Sequence, residues 1–449
     1  MKLTKYMKQF SIDDKKSLII NSITGAVDII DNNILKELYS GKLDDPEKNQ
    51  VIIKLKERGY IVADEKEDYE RLKLIVSKQR HMSLATFIIC ITYKCNLSCS
   101  YCFEPSEVKT KNYVLNETDI DKIFVAIKQI MEERGFRYAS ILLYGGEPFL
   151  PSSKSLVAYI MDKAKNNNYV VQAISNGTKI VQYKDILNNY KDIIRNIQIT
   201  LDGSQKYHDI TRKYPSGQGS FSEIVHGIDV CVNIGIPINL RINVGKKNID
   251  GLDELLNYIE DKGWAKSKNF TCQLAPVTDH YCTGAMQDWI PEHIVLEKIL
   301  SLFDRHKDIS MKMGTDMEKR VAILKSVLSK QKNRLFTCLP CSAALRNYFI
   351  FGAEGLIYAC PETVGIEEQS IGKFKPDFQI EKSKENVWKR DISNIDKCSN
   401  CEIAGICGSG CTWSAIATNG KMFENPQCNF AKETVETYFQ INKQKFNNL

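Results

Sequence analysis

The sequence predicts an α/β chain with a parallel barrel-like sheet of six strand-helix units, between a small N-terminal winged-helix-like unit and a C-terminal cysteine-rich unit. Three observations predict it. From Thr86 to about Pro276, apolar strand-like runs alternate with helical patterns, the mark of βα units. Before Lys66, short β runs and helix signals form a separate pattern, and from Phe336 the composition shifts sharply toward cysteine. At 449 residues the chain is long for one core, so two or three domains are expected.

The elements follow in order. Ser17 to Asn21 and Ala26 to Asp31 are β-type runs around the turn residues Thr24-Gly25, as in a hairpin. Asn32 or Asn33 is placed to cap a short helix ending near Gly41. Asp45-Pro46 opens a second helix ending near Gly59, and Tyr60-Ile61-Val62 is a wing strand. Residues 1–66 form this unit, and residues 67–85 form a charged helical linker. The barrel, residues 86–290, has strands at Thr86-Thr92, Ser140-Tyr144, Val170-Ile174, Asn196-Leu201, Ile238-Val244 and Phe270-Ala275. Its clearest helix, Glu117 to Glu133, carries Ile120, Ile123, Phe124, Ile127, Ile130 and Met131 on one face, with Asn116 as cap and Gly135 as stop. A helical bridge at 291–335 leads to the cysteine-rich unit at 336–449.

Composition narrows the function. Hydrophobic residues at 43% and charged residues at 26% are ordinary for a soluble protein, and no apolar run is long enough to span a bilayer. The start, Met1-Lys2-Leu3-Thr4-Lys5, lacks the apolar stretch of a secretory signal, so a cytoplasmic protein without membrane partners is expected. A net charge of +6 with interspersed signs does not point to nucleic acid. Fifteen cysteines without an export signal argue for metal ligation in a reducing, anaerobic setting.

Chemistry concentrates at the strand ends, where a parallel barrel builds its active site. After the first strand stands Cys95-Asn96-Leu97-Ser98-Cys99-Ser100-Tyr101-Cys102, a C-x3-C-x2-C run. Three thiolates on one loop can hold three irons of a [4Fe-4S] cluster and leave the fourth open. A zinc site needs a fourth ligand, and a redox pair needs only two cysteines. With an aromatic residue before its last cysteine, the run resembles the signature of radical S-adenosylmethionine (SAM) enzymes, in which the methionine moiety of SAM chelates the open iron. The implied fold is a partial (β/α)6 radical SAM barrel. Gly145-Gly146-Glu147-Pro148 ends the second strand; such glycines admit close backbone approach, and a carboxylate can meet an ammonium. Alone it is a turn, but it falls where the family's glycine-rich motif binds the SAM amino group.

Ser175-Asn176-Gly177-Thr178 follows the third strand, and Thr200-Leu201-Asp202-Gly203 follows the fourth, continuing to His208-Asp209 and Arg212. The latter resembles the Ser-x-Asp-Gly…His-Asp-x-x-Arg run of sulfatase-maturing and peptide-maturing enzymes, with a Thr that keeps the hydroxyl. The resemblance implies that Thr200 and Arg212 contact the ribose and carboxylate of SAM, Tyr101 the adenine edge and Leu274 the adenine face. Gly145, Gly146, Glu147, Ser175 and Asn176 complete the implied SAM site.

Eight late cysteines could make two zinc sites. Their order resembles a SPASM domain with two auxiliary [4Fe-4S] clusters, which implies Cys338, Cys341, Cys360 and Cys411 as ligands of the first and Cys398, Cys401, Cys407 and Cys428 of the second. Cys338 stands closer to Cys341 than the equivalent pair in sulfatase-maturing enzymes. Three clusters thus take eleven of the fifteen cysteines; Cys90, Cys231, Cys272 and Cys282 behave as small apolar residues without a role.

The resemblance further implies reductive cleavage of SAM to methionine and a 5′-deoxyadenosyl radical, hydrogen abstraction from a C–H bond, and an auxiliary cluster as electron acceptor. A flavodoxin or ferredoxin would supply the electron. The N-terminal pattern resembles the element that binds leader peptides of ribosomally made precursors by strand addition. Sulfatase-maturing enzymes lack it and place an Asp after the cysteine corresponding to Cys360, where this chain has Pro361 and then Glu362. The expectation is a peptide maturase that acts on a leader-bearing precursor and forms a Cys thioether to carbon, of sactipeptide or ranthipeptide type. Glu362 is the candidate proton acceptor, its plainer reading being a solvated acid. Carbon–carbon or carbon–oxygen crosslinking, formylglycine formation, and a metal-stabilised binding or electron-transfer module remain alternatives.

Overall fold

The computed structural model describes residues 2–41, 50–80, 83–277, 288–329, 338–419, 428 and 430–448. At the N-terminus, strands β1 (Lys2–Leu3), β2 (Met7–Ser11), β3 (Lys16–Asn21) and β4 (Val27–Asp31) precede helices Asn32–Ser40 and Gln50–Glu57 and strand β5 (Ile61–Val62). The expected hairpin is β3–β4, and β2 adds a third antiparallel strand, Met7 opposite Asn21. The sequence pattern missed β2, whose five residues hold only two apolar side chains; pairing with β3 defines it. The expected wing strand, β5, pairs with β1. The first helix is capped by Asp31, whose carboxylate accepts from the Asn33 N–H, and not by Asn32 or Asn33. The Asp45-Pro46 start of the second helix lies outside the described residues.

The linker is a helix, Glu65–Gln79, opened by the Asp64 side chain accepting from Glu67 N–H. Its buried Leu72 and Val76 share an apolar cluster with Tyr6, Ile392, Ile395 and Cys398, so the linker packs against the cysteine-rich unit. Arg80 ends it in an ion pair with Asp391 at 2.6 Å.

The six barrel strands are β6 (Leu84–Cys90), β7 (Tyr138–Tyr144), β8 (Val170–Ser175), β9 (Ile194–Thr200), β10 (Ile238–Val244) and β11 (Phe270–Pro276). They lie parallel in chain order. Helix Glu117–Arg134 carries a capping box between Asn116 and Asp119 and ends at Gly135 with φ 68°. Its Ile120, Ile123, Phe124, Ile127 and Ile130 are buried, while Met131 packs at the rim. Each such burial is worth about 1.5–3 kcal/mol over exposure.

Two further strands extend the parallel run. β12 (Met313–Thr315), inside the expected helical bridge, adds to β11. β13 (Tyr348–Phe351) adds to β6 with Tyr348 opposite Thr86, and β14 (Leu356–Tyr358), β15 (Gly372–Lys373) and β16 (Gln379–Ile380) follow antiparallel. The cysteine-rich unit is therefore continuous with the barrel sheet. No helix among the described residues is long and apolar enough to cross a membrane.

Candidate active site

The loop that carries Cys95, Cys99 and Cys102 is seated on the end of β7. Gly146 N–H donates to Thr92 O at 2.9 Å, and Glu147 N–H to Lys94 O at 2.9 Å. A Cβ on Gly145, which has φ 128°, would lie 2.3 Å from Thr92 O, and one on Gly146 would lie 2.4 Å from Lys94 O. The two glycines thus admit the base of the cysteine loop, where the sequence had them admitting a ligand.

Glu147 is 1% exposed. Its Oε1 accepts from Phe149 N–H at 2.9 Å and Ser175 Oγ at 2.8 Å, and its Oε2 from Asn176 N–H at 2.7 Å. Burial pushes this carboxyl above its ordinary range, against the pull of the three donors. Asn176 passes the constraint on: its Nδ2 donates to Asn96 Oδ1 at 2.8 Å and reaches Cys95 Sγ at 3.7 Å. Thr178 closes the ring, donating to Asn176 Oδ1 at 2.7 Å and accepting from Asn96 Nδ2 at 2.8 Å. The second and third strand-end phrases therefore fix the first cysteine.

The fourth phrase fixes the other end of the loop. The Tyr101 hydroxyl donates to Asp202 Oδ2 and accepts from Arg212 Nη1 at 2.8 Å and Asn243 Nδ2 at 3.2 Å. That fills the capacity of the phenol oxygen. The Tyr101 hydroxyl thus orients Arg212 and Asp202, and Tyr101 lines the cavity beside the cysteines. Asp202 N–H donates to His208 Nδ1 at 3.2 Å, which puts the imidazole proton on Nε2, facing Ser220 Oγ at 3.0 Å. Ser220 Oγ donates in turn to Arg212 O at 2.9 Å. Burial drives His208 well below its ordinary pKa, with Arg212 adding to the effect. Arg212 Nε is buried and has no partner among the described residues. An orphan N–H of this type calls for an acceptor.

These groups surround a cavity of about 440 Å³, within the usual range for a small-molecule site. Cys95, Cys99 and Cys102 line it, as do Gly145, Gly146, Glu147, Ser175, Asn176, Thr200, Arg212 and Glu362. Leu274 does not: it is 1% exposed and belongs to the core of β11, and Pro276 and Val277 take the wall position expected of it. The sequence reading missed Glu104, Lys109, Gln198, Arg241 and Asn243 on the walls. Only Glu104, just past the last cysteine, had a local signal. Burial pushes it up to about 7, with Lys109 pulling the other way. Burial alone would lower Lys109, but the Cys102 thiol and Glu104 hold it above its ordinary value.

Burial pushes the Cys95 thiol up to about 12, and Cys99 is raised for the same reason. Among the described residues, no three Cys, His, Asp or Glu side chains close on a position for a single metal ion. Three cavity-facing thiols on one loop, beside an orphan guanidinium N–H, instead fit a cluster with one open iron and an anionic ligand.

The later cysteines fall into two groups. The Cys341 and Cys411 thiols lie near that of Cys360, which burial raises and their charge raises further. Cys338 opens the cysteine-rich unit beside the linker helix. Its N–H is held by Gln79 Oε1 at 2.7 Å, and its thiol lies in the apolar cluster of Tyr6, Leu72 and Val76. Cys398, Cys401, Cys407 and Cys428 do gather: burial pushes Cys398 up to about 12, and the other three add to that rise. Arg320 Nη1 reaches Cys407 Sγ at 3.6 Å.

Comparison with known proteins agrees with this geometry. The chain is 24% identical to a cysteine-type anaerobic sulfatase-maturating enzyme of Clostridium novyi over 73% of this chain and 88% of that one. It is 22% identical to the radical SAM cyclopropyl synthase TigE of Paramaledivibacter caminithermalis over 91% of this chain and 89% of that one. In structure it is similar to SuiB of Streptococcus suis, solved bound to precursor peptide SuiA: TM-score 0.55, 14% identity, covering 95% of this chain and 99% of that one. Residues 89–259, which hold the cysteine loop and every strand-end phrase from Gly145 to Arg212, match the model of the radical SAM superfamily, so the chain carries a radical SAM domain.

Proposed function

We propose that this chain is a peptide maturase that installs a crosslink, a Cys thioether to carbon, in a leader-bearing precursor peptide. The observation that carries the reading is the extent of the likeness. The structural match to SuiB, which binds a precursor peptide, covers 95% of this chain and so leaves out fewer residues than the N-terminal unit contains, whereas the structural match to anSMEcpe with bound AdoMet covers 81%. The three-stranded sheet of that unit offers β4 as an edge for strand addition.

Cys95, Cys99 and Cys102 would hold the cluster, with the SAM amino acid against Gly146 and Arg212 Nε. Bound there, cluster and SAM supply a 5′-deoxyadenosyl radical able to take a hydrogen atom from a C–H bond. The chain's residues do the rest by placement. Tyr101 and Asp202 hold Arg212 in position, and Glu147 and Asn176 hold Cys95. Glu362, on the Pro361–Thr363 turn after Cys360, stands at the cavity wall to take the thiol proton. Cys338, Cys341, Cys360 and Cys411 would ligate one auxiliary [4Fe-4S] cluster and Cys398, Cys401, Cys407 and Cys428 another, with a flavodoxin or ferredoxin as reductant. Thioether formation balances as loss of two hydrogens: one atom to the deoxyadenosyl group, and one proton and one electron to acceptors.

The test is anaerobic incubation of the reconstituted protein with SAM, dithionite and a Cys-containing precursor encoded beside it. The expected outcome is 5′-deoxyadenosine and a peptide lighter by two hydrogens, both abolished by Cys95→Ala. Deoxyadenosine without any change in peptide mass sinks the reading. The Clostridium novyi relative favours a second reading, formylglycine formation, for which a Cys-containing sulfatase peptide would yield an aldehyde.

A further inference from the structure

The N-terminal unit does more than offer a sheet edge. Its first residues are strapped between the linker helix and the loops that carry the outer cysteines. Asp68, buried on the linker, accepts from Thr4 Oγ1 at 2.7 Å and from Lys5 N–H at 3.1 Å. The next residue, Tyr6, is 1% exposed and donates its hydroxyl to Ser399 O at 2.8 Å. Ser399 lies between Cys398 and Cys401. On either side of Tyr6, Lys5 Nζ donates to Asn400 Oδ1 at 2.9 Å, and Lys8 Nζ pairs with Glu402 at 3.1 Å and Glu436 at 2.8 Å.

A second contact reaches the segment that ends in Cys407. A Cβ on Gly405 would lie 1.8 Å from Ser22 O and 3.2 Å from Ile23 Cα, so the turn after β3 rests directly on the backbone two residues before that cysteine. The contact is fixed on its own side as well, because Asn21 Oδ1 accepts from Ile23 N–H at 3.0 Å. A third contact, the stack of Phe10 on Phe439 at 4.7 Å, ties the same sheet to the helix that follows Cys428. Each segment bearing an outer thiol thus meets the N-terminal unit.

We propose that the N-terminal unit is a positioning element of the outer cysteine group: Tyr6 and the Ser22-Ile23 turn hold the Cys398–Cys401 loop and the Ala404–Cys407 turn in the arrangement that a four-iron cluster requires. A detachable recognition module would have no such role. Removing residues 1–66 therefore disturbs the outer cluster as well as any peptide site, and cannot by itself report on peptide recognition. The inference rests on these cysteines being cluster ligands.

The test uses the full-length chain, reconstituted anaerobically with iron and sulfide. Four variants are compared with wild type: the double change Cys398→Ala/Cys401→Ala, Tyr6→Phe, Gly405→Ala and, as control on the same unit, Tyr39→Phe. The double change, which leaves only two of the four outer thiols, should lower bound iron by about four per chain and identify the outer cluster's signal in the electron paramagnetic resonance spectrum of the reduced protein. Gly405→Ala should lower iron similarly. Tyr6→Phe, which keeps the ring and removes one hydroxyl, should shift the midpoint potential of that same signal, while Tyr39→Phe leaves it in place. Unchanged iron in the double cysteine variant overturns the cluster reading and the proposal with it. Loss in that variant, but full iron and an unshifted signal in both Tyr6→Phe and Gly405→Ala, overturns the proposal alone.

Discussion

The Cys95 loop and the outer cysteine group are built by different means. Around the first, much of the bracing comes from the ends of barrel strands: Gly146 and Glu147 after β7, Asn176 after β8, Asp202 after β9. Each reaches the loop or its base through one or two hydrogen bonds. Around the second, the bracing groups come from residues hundreds of positions away, Tyr6 among them. A barrel gathers its loops automatically, whereas a cysteine-rich unit with short elements must borrow its rigidity from neighbours. The first site should therefore be broken from inside the barrel, and the second from outside its own unit.

The largest effect expected within the barrel is that of Gly146→Ala. The added Cβ would meet backbone, Lys94 O at 2.4 Å and Tyr93 O at 2.5 Å, so no side-chain rotation relieves it. Overpacking of this type costs about 1–3 kcal/mol, and here it falls on the loop that carries three cluster thiols. The expected outcome is loss of 5′-deoxyadenosine formation by at least about tenfold, with the iron of the outer group retained. Full SAM cleavage in this variant would show that the loop does not depend on its seat.

A smaller effect tests how the barrel loop is joined to a third region, the inner cysteine group of Cys341, Cys360 and Cys411. Tyr93 stands two residues before Cys95 and Tyr358 two residues before Cys360; both phenols donate to the carboxylate of Glu354, on the turn between β13 and β14. Burial raises both phenols above their ordinary pKa, so they remain donors. Glu354→Gln leaves one phenol facing an amide N–H, at a cost of about 1–3 kcal/mol. Combined with Tyr93→Phe it should cost less than the sum of the two single changes, as read from urea midpoints, because they break one network. Strict additivity would mean that Tyr93 and Tyr358 are held separately.

Which parts were legible in the sequence follows from the same contrast. The six barrel strands, the capping of helix Glu117–Arg134 and the cavity-facing phrases all rest on local pattern, and local pattern is what a sequence displays. β12 and β13 were missed because strands of three or four residues carry little periodicity, and what defines them is pairing with β11 and β6. Leu274 was placed toward SAM by resemblance, and the Tyr101 hydroxyl was given no protein partner. The network that fills the Tyr101 hydroxyl depends on Asn243, 142 residues away, and the burial of Leu274 depends on which face of β11 turns inward. Cys338 was grouped with Cys341 by resemblance, and the bond that holds its N–H, to Gln79 on the linker 259 residues away, has no local signal.

The mildest test addresses the barrel alone, through His208. This imidazole is fully buried, accepts from Asp202 N–H at Nδ1, faces Ser220 with Nε2, and lies far below its ordinary pKa. It stays neutral in the folded chain as the pH falls, whereas in the unfolded chain it takes up a proton near its ordinary pKa of about 6.5. The unfolded state then binds more protons than the folded one, so stability is fully present above that pH and is lost as the pH falls below it. The slope for one such group is about 1.4 kcal/mol per pH unit. His208→Gln keeps an acceptor for Asp202 and a donor for Ser220 without a titrating ring. At neutral pH the two proteins should unfold at similar urea concentrations. At pH 5.5 wild type should lose about 1 kcal/mol more than the variant, acid effects on the cysteines being common to both. Equal losses would mean that the imidazole gains a proton in the folded chain, and that the link from Asp202 through His208 and Ser220 to Arg212 O does not hold it neutral.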